Sequence, residues 1–297
     1  MADGNGPWQK EEANLLYHYT SLDTFLKMAE FGKIRLSDLA QSNDALEGRF
    51  IQDHISKAIW SSNIPKGLHS ELELTIEHLI QFERAFGFCL SETPDQLSQW
   101  RGYGDDGHGV CLGFDQVGLE SAIRNTHHET RHATIHKVEY GDESAAELGA
   151  TVSKDIEALE ISDADAEEVA FKIESFLLIG DPNKAEAKRK AGLAYIAIFN
   201  AISKCFRFKS HAFREEREWR VLHSGKSHDS KNVKYHSRGG RIVAYLDVDF
   251  GGSLREVILG PKTHVGVREM GRVLDRFGLN NNEASKIKVN RSSASYR

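Results

Sequence analysis

Cysteine is scarce in this sequence: Cys89, Cys111 and Cys205 are the only three in 297 residues, and none sits in a C-x-x-C pair. An odd, sparse set excludes a disulfide framework. Each is flanked by apolar residues, so buried free thiols are expected. No apolar run approaches the roughly 20 residues needed to span a bilayer. The polar, glycine-containing stretch from Met1 to Lys10 lacks the basic end and apolar run of a secretion signal. A cytoplasmic protein is the expectation. A basic excess is also missing, since 38 Lys and Arg face 44 Asp and Glu for a net charge of −6. That argues against a generic nucleic-acid binder and leaves only a local basic groove open.

Familiar chemical motifs are missing too. Gly102, Gly104, Gly107 and Gly109 do not fit G-x-x-x-x-G-K-[ST], and their turn leads into a strand rather than a helix N-terminus. No G-x-S-x-G elbow supports a hydrolase triad. No G-x-G-x-x-G follows a strand and opens a helix, so a Rossmann fold is disfavoured. There is no internal repeat and no low-complexity segment.

What is present is an ordinary soluble composition, 40% apolar and 28% charged, enough for a real core. The periodicities predict a strand over 15–20 and then a helix capped by Ser21, with Leu22, Phe25, Leu26 and Ala29 inward and Gly32 at its end. A short strand follows at Lys33–Leu36, and Asn43-Asp44 opens a helix running toward Trp60. A third helix covers 68–82 and a buried strand 86–91. Thr93-Pro94-Asp95 starts a short helix carrying Leu97 and Trp100. Strands are expected near 108–114 and 130–140. From 143 to 205 the chain reads as a helical insertion, broken at Gly180–Asn183. Strands return at 232–236, 241–248 and 256–259, then a helix at 265–277 and a last strand at 286–289. The fold class expected is α+β, a single domain around a mixed or antiparallel central sheet with a helical insertion at about 143–205.

Two polar stretches carry the candidate chemistry. Arg214 to Leu222, read as a strand, puts Glu216, Glu218, Arg220 and Leu222 on one face and Arg217, Trp219, Val221 and His223 on the other. Carboxylates facing a cleft are candidates for binding hydroxyls or for general base work. Read as a helix, the same run is a solvated face of mixed charge. In Tyr17–Thr20, alternation puts His18 and Thr20 on one face, at the strand's end where a helix begins. The expectation is that these two stretches form one site. The turn Arg101–Gly107, with Trp100, Arg101 and Tyr103, lines a pocket or merely plugs the core. His127, His128, His132 and His136 would stack a metal face on a helix, but Ile135 and Val138 suit a strand, so no metal is expected.

One chemistry needs few residues and no metal: cleavage of the N-glycosidic bond of NAD. A carboxylate near the nicotinamide ribose stabilises an oxocarbenium-like transition state, and an aromatic ring stacks on the nicotinamide. Glu218, His18 and Tyr103 or Trp100 have the right chemical types.

Several pieces in order resemble the bacterial family called domain of unknown function 2971. They are Tyr17–Ser21, Asn43-Asp44 with Glu47, Phe88–Ser91, Gln99–Tyr103, Gly109–Phe114, Lys209, Glu216–Arg220, Ile258–Pro261 and Ser295–Arg297. The family's usual Asn-Asp-Pro is Asn-Asp-Ala here. The front end, His-x-Thr-Ser and then a helix, is similar to the start of ADP-ribosyltransferase-like folds. That resemblance implies a split sheet, NAD as substrate and a first-strand His on the NAD ribose. It also implies a Tyr on nicotinamide and a catalytic Glu on a late strand. Carried over by position these are His18, Tyr103 (with Trp100 and Tyr19 as rivals) and Glu218.

The enzyme expected is thus an ADP-ribosyltransferase-like enzyme or NAD glycohydrolase, of the kind used as a bacterial toxin or anti-phage defence effector. Glu218 is the main carboxylate, with Glu216 as its helper. His18, Thr20 and Ser21 hold ribose or phosphate, Arg101 and Lys209 meet the pyrophosphate, and Arg220 completes the set. The partners expected are NAD and a macromolecular acceptor, protein or nucleic acid, with no membrane and with room for a homodimer. The alternatives are a metal-dependent nuclease or nucleotide-processing enzyme, and a non-enzymatic ligand-sensing or partner-binding module with a structural Glu-Arg ladder.

Overall fold

A computed structural model describes residues 14–41, 48–83, 85–126, 132–174, 185–224, 231–238, 240–280 and 286–296. The first part of the chain runs β1 (Leu15–Thr20), α1 (Leu22–Phe31), β2 (Lys33–Asp38), α2 (Gln52–Trp60), α3 (Lys66–Phe82), β3 (Ala85–Ser91) and α4 (Leu97–Gly102). Next come β4 (Val110–Asp115), α5 (Gln116–Asn125), β5 (Thr134–Lys137), β6 (Glu139–Tyr140), α6 (Asp142–Glu157), α7 (Ala166–Glu174) and α8 (Ala185–Ile202). The remainder is β7 (Phe208–Lys209), β8 (Glu218–Ser224), β9 (Lys234–Arg238), β10 (Arg241–Asp249), β11 (Leu254–Leu259), α9 (Val267–Arg276) and β12 (Lys288–Arg291). The class is α+β with mostly antiparallel strand pairing. Asn43, Asp44 and Glu47 and the break at 180–183 lie outside the described residues.

The residues fall into two compact units. The first takes the chain up to Ile34, the stretch 90–131 and everything from Val248 onward; the second takes 35–89 and 132–247. In the first unit β4 lies between β1 and β11, antiparallel to both, with His18 opposite Leu112 and Thr20 opposite Val110. β12 adds in parallel to β11. Alternation along β1 sends Tyr17 and Tyr19 into a cluster with Trp100, Cys111 and Ile258. Ser21 caps α1, its hydroxyl accepting from the Thr24 amide at 3.2 Å, and the helix ends at Gly32 as its sequence implies. α5 has no counterpart in the sequence reading. Gly118 and the exposed Val117 interrupt its apolar period, and only Leu119 and Ile123 turn inward.

Gly109 marks a close backbone approach. A Cβ there would overlap the Thr20 carbonyl oxygen, and backbone cannot swing aside as a flexible side chain can. Gly109→Ala is therefore expected to destabilise the protein by roughly 1–3 kcal/mol, as overpacking does. Thermal melting of the variant checks this, and an unchanged midpoint would contradict it.

In the second unit β2 pairs antiparallel with β3, and β10 with β9. β8 pairs with β3 and, antiparallel, with β5. The short strands β6 and β7 pair in parallel. Five helices, α2, α3, α6, α7 and α8, build the larger core from Ile51, Ile55, Leu68, Leu72, Val152, Val169, Ile198 and their neighbours. α6 meets α2 so closely that a Cβ on Gly149 would stand 2.6 Å from the His54 carbonyl oxygen. The helical stretch expected at 143–205 is thus part of this unit's core. Among the described residues no helix is long and apolar enough to cross a membrane.

Candidate functional site

The Arg-Glu-rich stretch does not form one strand. His211–Glu216 is a 3-10 turn, Arg217 takes a left-handed conformation (φ 43°), and β8 starts only at Glu218. A positive φ on a long side chain is uncommon. It removes Glu216 from the strand, so Glu216 does not share the face of Glu218, Arg220 and Leu222. The two carboxylates still meet, because both reach one ammonium. Lys209 Nζ, from β7, donates to Glu216 Oε2 at 2.7 Å and to Glu218 Oε2 at 3.2 Å. It also lies over the Phe213 ring, 4.6 Å from the centroid.

Arg220 closes the network. Its Nε donates to Glu218 Oε1 at 2.7 Å, one terminal nitrogen to Glu218 Oε2 at 2.9 Å, and the other to the Phe206 carbonyl at 2.7 Å. This is bidentate pairing with a backbone anchor behind it. The Cys89 thiol also donates to Glu218, and the Tyr140 hydroxyl accepts from the Glu218 amide at 2.8 Å. Arg220 is 1% exposed, Glu218 5% and Lys209 6%, whereas the Glu216 side chain keeps 14% of its surface.

The electrostatics follow from these contacts. Burial alone would raise the Glu218 pKa. The charge and hydrogen bonds of Arg220, then the charge of Lys209, outweigh it and hold the carboxyl at about 2. Burial alone would lower Lys209, but Glu218 and Glu216 reverse that and keep it above the usual lysine range. The depressed Glu218 value makes a stability prediction. An unfolded Glu titrates at ~4.3, so this contribution is complete above that pH and is lost as pH falls through about 2. Urea midpoints of the wild type should drop through this window more steeply than those of Glu218→Gln. Parallel curves would contradict it.

The network thus engages three residues expected at the site. Lys209 and Arg220 are buried cations paired with carboxylates. Glu218 has both oxygens engaged, by Arg220 and Lys209. The second cation of the network is Lys209; Arg101 lies in the first unit.

In the first unit His18 is half-buried and Thr20 buried, on the strand face opposite Tyr17 and Tyr19. Ser21 spends its hydroxyl on the α1 cap. Trp100 is 0% exposed, stands edge-on to Tyr19 with centroids 4.9 Å apart, and donates its indole N–H to Asp95 at 2.8 Å. Its ring belongs to the core and has no face for a nicotinamide. Tyr103, at the end of α4, is 44% exposed, so it is the aromatic with a surface to offer. Arg101 is exposed, its guanidinium 4.9 Å from the centre of the Tyr296 ring.

Of the spaced histidines, His127 and His128 lie outside the described residues, and His136 sits on β5 beside Thr134 Oγ1 at 2.7 Å. Cys111 and Cys205 are buried as expected. Cys89, expected to be buried, is exposed, although its thiol reaches Glu218. Sequence reasoning missed Asp95, Tyr140 and Cys89 as partners. Only Asp95 left a local trace, as the Asp of a Thr-Pro-Asp helix start.

Neither the curated proteins nor the solved structures contain a match to this chain. Residues 99–221, which hold Trp100, Arg101, the exposed Tyr103, Lys209 and the Glu216–Arg220 network, match the family model described as Protein of unknown function (DUF2971).

Proposed function

We propose that this protein cleaves the N-glycosidic bond of NAD, in the manner of ADP-ribosyltransferase-like enzymes, and that Glu216 rather than Glu218 supplies the working carboxylate. The observation that carries this reading is the asymmetry within the ion network. Glu218 is buried with both oxygens taken, while Glu216 sits at the accessible margin with Oε2 fixed 2.7 Å from Lys209 Nζ. A carboxylate held in place by a buried ammonium is preorganised, and needs no rearrangement when charge develops beside it.

In the reaction the bond between ribose C1′ and the nicotinamide nitrogen breaks. Its electron pair goes to the departing ring, which leaves as neutral nicotinamide. The ribose passes through an oxocarbenium-like state that a nearby carboxylate stabilises. An acceptor oxygen, of water or of a macromolecule, forms the new bond at C1′ and releases its proton. Glu218, Lys209 and Arg220 then act as the frame that positions Glu216.

The test is nicotinamide release from NAD by the purified protein and by Glu216→Gln. Release by the wild type and its loss in the variant support the assignment; equal release by both ends it. A second reading, a ligand-sensing or partner-binding module without turnover, is favoured by the completeness of the network, in which Glu218 and Arg220 satisfy one another without any ligand. Calorimetric binding of NAD with no nicotinamide release from the wild type would select it.

A further inference from the structure

The stretch after β12 does more than end a sheet. The Ser292 amide donates to the Leu259 carbonyl at 2.8 Å, and the chain then crosses the turn that carries α4. Asp95 fastens it at one end. Asp95 Oδ2 accepts from the Ser293 amide at 2.6 Å and the Ser293 hydroxyl at 2.7 Å, and Oδ1 accepts from the Ser292 hydroxyl and the Trp100 indole. Asp95 holds a left-handed backbone (φ 56°), a conformation that a non-glycine residue keeps only when its surroundings impose it.

Tyr296 fastens the other end. Its ring lies 3.7 Å from Lys262 Nζ and 4.9 Å from the Arg101 guanidinium carbon, and its hydroxyl donates to Asp106. Lys262 bonds the same Asp106 at 2.8 Å. Asp105 and Asp106 are also left-handed, at φ 54° and 51°. The two ends of the α4 turn are thus pinned by one short segment, from residues nearly 200 positions away in the chain. Stacking on Tyr296 engages the face of the Arg101 guanidinium and leaves its edge donors for a bidentate anion.

We propose that residues 292–296 form a strap that preorganises Arg101 for an anionic ligand, with Asp95 and Tyr296 as its positioning residues. This rests on the reading that Arg101 meets the pyrophosphate of NAD. Ordering an arginine in advance removes part of what binding would otherwise cost.

The experiment has two arms. Hydrogen exchange across residues 95–108 is read without NAD. Tyr296→Ala should accelerate it about tenfold, the loss expected when a local opening becomes easier, while Tyr296→Phe, which keeps the ring, should stay near wild type. Wild-type exchange in Tyr296→Ala overturns the strap whether or not the protein consumes NAD. Kinetics with NAD forms the second arm. Tyr296→Ala should raise KM about tenfold with kcat unchanged, and Tyr296→Phe should restore it. A fall in kcat at constant KM, or no change in either, overturns the positioning role. A wild type that releases no nicotinamide at all removes the NAD assignment and leaves the exchange arm to decide the strap. Asp95→Asn, which keeps the shape of the side chain, repeats both arms should Tyr296→Ala fail to fold.

Discussion

Glu218→Ala is expected to cost about 3–5 kcal/mol of folding free energy, the range found when one partner of a buried ion pair is removed. The physical cause is the pair of cations left behind. Arg220 is 1% exposed and Lys209 6%. Without Glu218, the Arg220 nitrogens that bonded it would lose their carboxylate in a buried site, while its bond to the Phe206 carbonyl would remain. Lys209 would keep Glu216 at 2.7 Å, so the larger loss falls on Arg220. Arg220→Met alone should be costly for the mirror reason, a buried carboxylate that keeps Lys209 but has lost its bidentate partner. The combined variant Glu218→Leu with Arg220→Met should cost less than the sum of the two single changes, because two desolvated charges disappear together. Urea denaturation of the four proteins measures this coupling. Strictly additive losses would show that the two side chains are not a pair in solution.

That network was only partly legible in the sequence. Elements set by near neighbours could be read directly: alternation along β1, the Ser21 cap and Gly32 end of α1, the apolar period of α3 and α9. The alternation of Glu218, Arg220 and Leu222 was also visible, and these three are buried together. What alternation did not reveal is that Glu216 leaves the strand. The left-handed Arg217 carries no local signature, since an arginine gives no hint of positive φ as an Asn or Gly would. The partners were beyond reach for a different reason. Lys209 sits on a two-residue strand too short to show a period. Tyr140, which receives the Glu218 amide, is 78 positions away. Trp100 looked like a ligand-stacking ring because composition says nothing of whether an indole N–H has a buried acceptor, and here Asp95 supplies one. Composition and periodicity specify which faces are buried. They do not specify which buried charges find one another, because that depends on contacts between segments remote in the chain.

Glu216→Gln should separate the two carboxylates by function. The substitution keeps side-chain shape and can still accept a hydrogen bond from Lys209 Nζ, so its stability should remain within about 1 kcal/mol of wild type, the scale of one hydrogen bond at a partly exposed site. Nicotinamide release should nevertheless fall by roughly 10²–10³-fold, the loss typical when one preorganised electrostatic group is removed from a transition state. Glu216 is suited to this role because its side chain is 14% exposed while its carboxylate is fixed by the buried ammonium. The loss should appear in kcat with KM nearly constant, since the carboxylate matters most when positive charge develops on the ribose. Glu218→Gln should show the opposite balance. Its main effect should be on the folding midpoint, and the protein that remains folded should retain turnover to the extent that Lys209 still holds Glu216. Measuring urea midpoints and nicotinamide release on the same preparations of both variants decides between them. If Glu218→Gln abolishes release while its midpoint stays at the wild-type value, the carboxylate roles proposed here are reversed. If neither variant changes a release that the wild type shows, neither carboxylate serves the reaction.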